Sequence, residues 1–166
     1  MEGSVEYVKA ADVLATLDPY VCVASATAWS RSGLETEAPP PVRLLHPESL
    51  EALTLDRMVD DDDARDADAA GARPEVVVGM GGGLALDVAK YLALRTGREL
   101  VLVPAALSSL AAFTTDVARR VRRQVVWTGE VVGRVVVDVD LLARAPAPLN
   151  RAGAAEIVAT APATWD

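Results

Sequence analysis

Three glycines in a row, Gly81, Gly82 and Gly83, stand between an aliphatic run (Val76, Val77, Val78) and a long apolar segment that begins at Leu84. A strand, a side-chain-free turn and a helix in that order form a binding place for a pyrophosphate. Glycine lets the backbone approach the anion, and the helix's unpaired N–H groups and positive dipole end face it. The spacing departs from Gly-x-Gly-x-x-Gly, because position 84 is Leu, so the ordinary dinucleotide fingerprint is missing and a purely structural tight turn stays open. Asp87 and Lys90 are the only charged residues between Leu84 and Leu94. Three apart on one helix face, they form either an i,i+3 ion pair or, through Asp87, a contact to a ligand's amide or hydroxyl. The remaining reactive residues read as structural. Cys22, the single cysteine, sits between Val21 and Val23 and rules out an internal disulfide framework or a Cys-rich zinc site. The single histidine, His46, reads as a surface residue at a strand end. The acidic run Asp60-Asp61-Asp62-Asp63, with Asp66 and Asp68, reads as a solvated or mobile surface rather than a cation site. No general base stands out, so the catalytic residues are unknown at this level.

Composition narrows the partners. The 166 residues amount to about one domain, with 51% hydrophobic and 24% charged residues, a globular balance. Sixteen basic residues against 24 acidic ones give a formal charge of −8, which argues against nucleic acid and against an anionic membrane surface. No stretch reaches the roughly 18 uninterrupted apolar residues of a membrane span, and the N-terminus lacks the basic residues of a signal peptide. A cytoplasmic protein is the expectation.

The elements that must position the glycine turn follow from hydrophobic spacing. Residues 5–18 carry apolar positions at approximately helical intervals, and 20–24 form a short run buried on both faces of a sheet. Residues 30–41 read as loop, closing with three prolines, followed by a strand at 42–45 and an amphipathic helix at 48–58. Residues 75–79 are the clearest buried strand, 84–95 a helix, and 100–103 a strand ended by Pro104. A loop of small residues then leads to runs at 125–127 and 131–137 that flank Thr128-Gly129-Glu130 as a hairpin, feeding a last strand at 135–138. Asp140 is expected to cap a short helix at 141–145, and another helix starts at Leu149. The sum is an α/β, Rossmann-like fold: a mostly parallel sheet with helices on both faces and a β-hairpin near residues 122–138.

The segment Gly79 through Lys90 resembles the GGG-x-x-x-D-x-A-K motif of the superfamily of iron-containing alcohol dehydrogenases and glycerol dehydrogenases, which also holds sn-glycerol-1-phosphate dehydrogenases and dehydroquinate synthases. Val101-Leu102-Val103-Pro104 with Ser108-Ser109 resembles its V-P-T loop and following Ser. Val136-Val137-Asp138-Val139-Asp140 resembles the strand before its interdomain linker, and Arg151-Ala152-Gly153-Ala154-Ala155-Glu156 the entry to its second domain. The likeness runs from about Val76 onward. Leu84, Ala105 and Leu110 depart from the pattern, the last two removing polar groups of the cofactor loop and substrate site.

The resemblance implies a nucleotide-binding α/β domain at 1–146 and, at 147–166, the start of a truncated helical metal-binding domain. It implies NAD or NADP as cofactor, held by Gly81, Gly82, Gly83, Asp87, Ser108 and Thr114, and a divalent metal, zinc or iron, only in a complete enzyme, with Glu156 as one ligand. His46 would fall near the adenosine ribose. The implied activity is that of a metal-dependent NAD(P)-linked dehydrogenase of an alcohol, a polyol or a glycerol-phosphate-like substrate. The alternatives are a dehydroquinate synthase-like sugar-phosphate cyclase, favoured by Glu156 in Gly-x-x-Glu, and a non-catalytic nucleotide-binding module. This chain alone is expected to turn nothing over. The surface around 101–114 and the apolar tail 157–165 are expected to favour self-association, so a homo-oligomer is among the expected partners.

Overall fold

The computed structural model describes residues 3–17, 19–68 and 73–160. Six parallel strands make one sheet in the order β1 (Ser4–Glu6), β8 (Arg134–Val136), β5 (Glu99–Pro104), β4 (Val76–Gly81), β2 (Tyr20–Ala24) and β3 (Arg43–Leu45). β6 (Asp116–Val121) and β7 (Gln124–Glu130) form a separate antiparallel hairpin. The central strands are aliphatic without alternation because both of their faces are covered. Val21, Val23, Val77 and Leu102 pack with α4 (Ala52–Asp68), α5 (Gly83–Thr96) and Val117 of the hairpin. Cys22, Val78, Met80 and Val101 face the opposite layer, made by α1 (Ala10–Leu14), α2 (Ala26–Ser32), α3 (Leu34–Glu37) and α6 (Val139–Ala143). The parallel α/β sheet expected from the sequence is the fold observed. No helix among the described residues is long and apolar enough to cross a membrane.

Several local expectations are corrected. Residues 5–18 are not one helix: Ser4–Glu6 pair in parallel with β8, and Arg134 holds Glu6 with two bonds of 2.7 Å, so a long-range pairing overrides the local periodicity. The loop expected at 30–41 is partly helical. Ser25 caps α2 by accepting from the Ala28 N–H, Gly33 at φ 82° ends it, and α3 follows at once, leaving only 38–41 irregular ahead of β3 at residue 43. The hairpin turns at Arg122-Arg123, with φ of 50° and 69°, rather than at Thr128-Gly129. That is the conformation two-residue hairpin turns require, usually supplied by Asn or Gly. Gly129 instead lies in β7, near a register shift at Val117/Ala118.

Asp138, not Asp140, caps α6, accepting from the N–H groups of Asp140 and Leu141, and its other oxygen accepts from Ala10 N at 3.0 Å. Asp140 pairs with Lys9. The acidic tract is not simply a solvated surface. It is the second half of α4, and Asp62, 1% exposed, is bonded to Arg43 at 2.8 Å and Arg98 at 2.5 Å, with Asp66 completing the group. α7 (Ala147–Thr160) contains the helix expected from Leu149. The apolar tail expected at 157–165 lies outside the described residues from 161 onward; Val158 is exposed.

Candidate functional site

The chain leaves β2 toward β3 on one side and leaves β4 toward β5 on the other, although β2 and β4 are neighbours. Helices leaving adjacent strand ends in opposite directions open a crevice beyond the carboxyl ends of those strands, where ligands of open α/β sheets bind. Both expected and unexpected residues meet there. Ser25 ends β2, and Gly81 to Gly83 lead from β4 into α5.

Each glycine of the turn is explained by its surroundings. Gly81 takes φ 140°, a conformation costly for any side chain, and a Cβ there would lie 3.1 Å from the Ala85 Cβ. Gly82 is the N-cap residue of α5, and no side chain caps that helix. A Cβ on Gly82 would stand 3.1 Å from the Ser108 Oγ, and one on Gly83 2.7 Å from the Ser109 Oγ. The loop after β5 therefore closes over the turn, fixed by the Ala105 N–H donating to the Gly81 carbonyl at 2.9 Å. The arrangement is a cradle without side chains, with the unpaired N–H groups of a 14-residue helix at its floor.

Gly83, Asp87 and Lys90 follow one another along a single face of α5. Lys90 Nζ lies 3.4 Å from Asp87 and donates to the Thr114 Oγ1 at 3.2 Å and the Asp116 carbonyl at 3.3 Å. Lys90 is fully buried, whereas the Asp87 side chain keeps 32% of its surface exposed. Burial pushes the Asp87 carboxyl above its ordinary range, and the Lys90 charge opposes that shift. The i,i+3 ion pair is thus present, and it ties Asp87 to Thr114. Ser108 and Ser109 at one end and Thr114 at the other border the same helix face, so the structure brings together all six residues expected to meet a cofactor.

His46 is exposed and donates from Nδ1 to the Ala24 carbonyl at 2.8 Å, joining the ends of β3 and β2. Cys22 is fully buried, and burial pushes its thiol up to about 12. Glu156 lies partly buried on α7. Among the described residues the one group of three potential metal ligands is Asp62, Asp63 and Asp66, and arginines already pair with all three. The described residues do not assemble a metal site around Glu156.

Sequence reasoning passed over four contributors. Ser25 had a signal, a hydroxyl directly after a strand and ahead of small helix formers. Asn150 accepts from the Leu107 N–H at 2.9 Å and donates to the Leu142 carbonyl at 3.1 Å, anchoring α7 to the loop beyond β5. Arg31 and Arg144 stand beside the crevice, a space of about 140 Å³ also bordered by Ser25, Gly82 and Ala105.

The model of the family described as iron-containing alcohol dehydrogenase matches residues 43–146. A glycerol-1-phosphate dehydrogenase [NAD(P)+] of Hyperthermus butylicus is 36% identical over 95 residues, 56% of this chain and 27% of that protein. One of Aeropyrum pernix is 32% identical over 104 residues, 57% of this chain and 27% of that protein. The iron-containing alcohol dehydrogenase structure from Corynebacterium glutamicum superposes with a TM-score of 0.76 at 13% identity, over 94% of this chain and 45% of that one. The matched part is thus about a quarter of the curated relatives, and the chain spans just under half of that structure. With the family model covering more than half of the chain, and with the glycine turn, Asp87 and Lys90 inside the match, this chain belongs to the iron-containing alcohol dehydrogenase family.

Proposed function

We propose that this chain is the dinucleotide-binding part of a metal-dependent, NAD(P)-linked dehydrogenase of alcohols or polyols, glycerol phosphates included. In this reading residues 1–146 form the nucleotide domain, and 147–166 begin a helical domain to which Glu156 contributes one metal ligand. The observation that carries the proposal is the uncapped, side-chain-free head of α5 at the point where the sheet's connections diverge. The family and its glycerol-1-phosphate dehydrogenase [NAD(P)+] relatives support it.

The residues present fit a dinucleotide. Gly82 and Gly83 form the head of α5, where main-chain N–H groups would meet a pyrophosphate, and Cβ atoms there would crowd Ser108 and Ser109. Ser108 borders the same space, while Asp87, held by Lys90, offers a carboxylate to a ligand's N–H or O–H group. Thr114 fixes the Lys90 ammonium, so its part is to orient Asp87 rather than to touch the anion. When bound, the nicotinamide supplies a hydride acceptor. A metal is a different matter, since the described residues gather no ligand set at Glu156, and no step is derived through one.

Isothermal titration of the chain with NADH and NADPH tests the reading. One dinucleotide per chain is the expected result, and absence of heat or of fluorescence enhancement with both would overturn it.

A further inference from the structure

α7 follows the last strand of the sheet, yet its early turns reach back to the loop after β5. Asn150 Oδ1 accepts from the Leu107 N–H at 2.9 Å, while Asn150 Nδ2 donates to the carbonyl of Leu142 in α6 at 3.1 Å. Three residues further on, the backbone of α7 lies against the other side of Leu107. A Cβ on Gly153 would stand 1.9 Å from the Leu107 carbonyl oxygen and 2.7 Å from its carbon. No side chain fits there, because the obstacle is main chain and cannot swing aside. Gly153 is buried. Alanine is the better helix former inside a helix, so glycine at this position reflects the close approach of α7 to the loop and not the needs of the helix.

What α7 grips is the cover of the glycine cradle. The Ala105 N–H donates to the Gly81 carbonyl at 2.9 Å, and the hydroxyls of Ser108 and Ser109 border the space beside Gly82 and Gly83. Ser109 also accepts from the Ala111 N–H at 3.3 Å, which starts a short 3-10 turn at Leu110–Ala112. Residues 105–109 are thus fixed to the glycine turn at their start, to that 3-10 turn at their end, and to α7 in the middle. The middle matters for binding. Hydroxyls carried on an unfixed loop must be ordered when a ligand arrives, and the entropy of ordering them is subtracted from its affinity.

We infer that Asn150 and Gly153 are positioning residues for the dinucleotide: without touching it, they hold Leu107 so that Ser108 and Ser109 are already in place over the head of α5. The inference rests on the dinucleotide reading and adds to it a coupling between the cofactor loop and α7. Such a coupling is reciprocal. If docking of α7 favours the binding form of the loop, a bound dinucleotide favours docking of α7 by the same factor. Glu156 lies three residues beyond Gly153 on the same helix, so this contact also fixes where α7 carries that carboxylate relative to the glycine turn.

Titration with NADH and NADPH, paired with thermal melting and hydrogen–deuterium exchange, tests the coupling. Asn150→Ala is expected to weaken the dinucleotide about tenfold, the scale of one neutral hydrogen bond, and to speed exchange in residues 105–109 of the free chain. Gly153→Ala is expected to weaken it at least as much although alanine favours the helix itself, which separates docking of α7 from its formation. Asn150→Asp keeps an acceptor for the Leu107 N–H and loses the donor to Leu142, so it is expected to restore slow exchange in the loop. In the unaltered chain, a saturating dinucleotide is expected to slow exchange in residues 150–156, which it does not contact. That measurement decides even where a variant fails to fold. Variants that melt lower but bind both dinucleotides as tightly as the unaltered chain overturn the positioning role and leave the dinucleotide site standing. A bound dinucleotide that leaves exchange in α7 unchanged overturns the coupling in the same way. Failure of both dinucleotides to bind the unaltered chain overturns the two readings together.

Discussion

Replacing Gly82 with valine separates the anion cradle from the fold that carries it. Gly82 sits at φ −90° and ψ −172°, extended backbone that a β-branched residue adopts without strain. The new Cβ would lie 3.1 Å from the Ser108 Oγ, the end of a side chain that can rotate away. Stability is therefore expected to change by no more than about 1 kcal/mol. Binding is another matter, because the two methyl groups occupy the space over the head of α5. Two charge-assisted hydrogen bonds from main-chain N–H groups, at about 1.5–3 kcal/mol each, would be lost, weakening the dinucleotide by roughly 10²–10⁴-fold. Gly79→Ala is the matched control. Its Cβ would stand 2.5 Å from the Ala89 Cβ and 3.0 Å from the Leu102 Cδ2, where α5 lies hard against β4. That substitution is expected to cost about 1–3 kcal/mol of stability through overpacking, without altering the affinity of the folded fraction. Calorimetric titration with NADPH, paired with thermal melting, reads both quantities. An unchanged affinity in a normally folded Gly82→Val chain would refute the assignment of the pyrophosphate to this turn.

Asp62→Ala is expected to destabilise the chain by about 3–5 kcal/mol, because Arg98 and Arg43 would be left buried with one fewer carboxylate; Asp62→Leu with Arg98→Met should recover part of that in chemical denaturation. The Asp66 carboxyl is held below its ordinary value of 3.8: burial would raise it, but the Arg43 hydrogen bond and the charges of Arg98 and Arg43 outweigh burial. Its contribution to stability is accordingly complete above that ordinary value and lost as pH falls through the lower folded value, so denaturation midpoints measured from pH about 5 downward should fall less steeply in Asp66→Asn. Cys22, buried and with its thiol pushed up to about 12, is expected to resist maleimide at pH 8 until the chain unfolds, and rapid labelling of the native chain would contradict the depth of β2 in the sheet.

What the sequence disclosed, and what it hid, follows from the range of the interactions involved. β2, β4 and β5 were legible because strands buried on both faces must be aliphatic throughout. β1 was not, since three residues with Val5 half exposed carry no such mark, and their partner lies about 130 positions away in β8. α2 was hidden by its alanines and hydroxyls, although Ser25 and Gly33 bracket it as a cap and a stop. The acidic tract misled because composition registers charge and not its partners: Arg43 and Arg98 come from other elements. In the site, the glycine turn and the Asp87–Lys90 spacing are local and were read directly. Arg31 and Arg144 are 113 positions apart, so only the fold could show them side by side.

The two ends of the strands divide the work. Arg43 opens β3, and Arg98 immediately precedes β5, so the ion pairs with Asp62 and Asp66 clamp the later turns of α4 at the amino ends of the strands. At the carboxyl ends Asp138 and Asp140 are also engaged, by main-chain N–H groups and by Lys9, and the difference lies in the groups around the crevice. Arg31 and Arg144 rest on carbonyls, the head of α5 has no side-chain cap, and burial raises the Asp87 carboxyl against the opposing charge of Lys90. A buried charge that is fully paired has little left to offer a ligand, whereas one held by neutral acceptors does. The chain places its most buried group of ion pairs where the layers must be locked together. Around the crevice it is the head of α5 that has no side-chain cap, and that difference is the physical reason to look for the ligand beside Gly82 and not along the longer acidic helix.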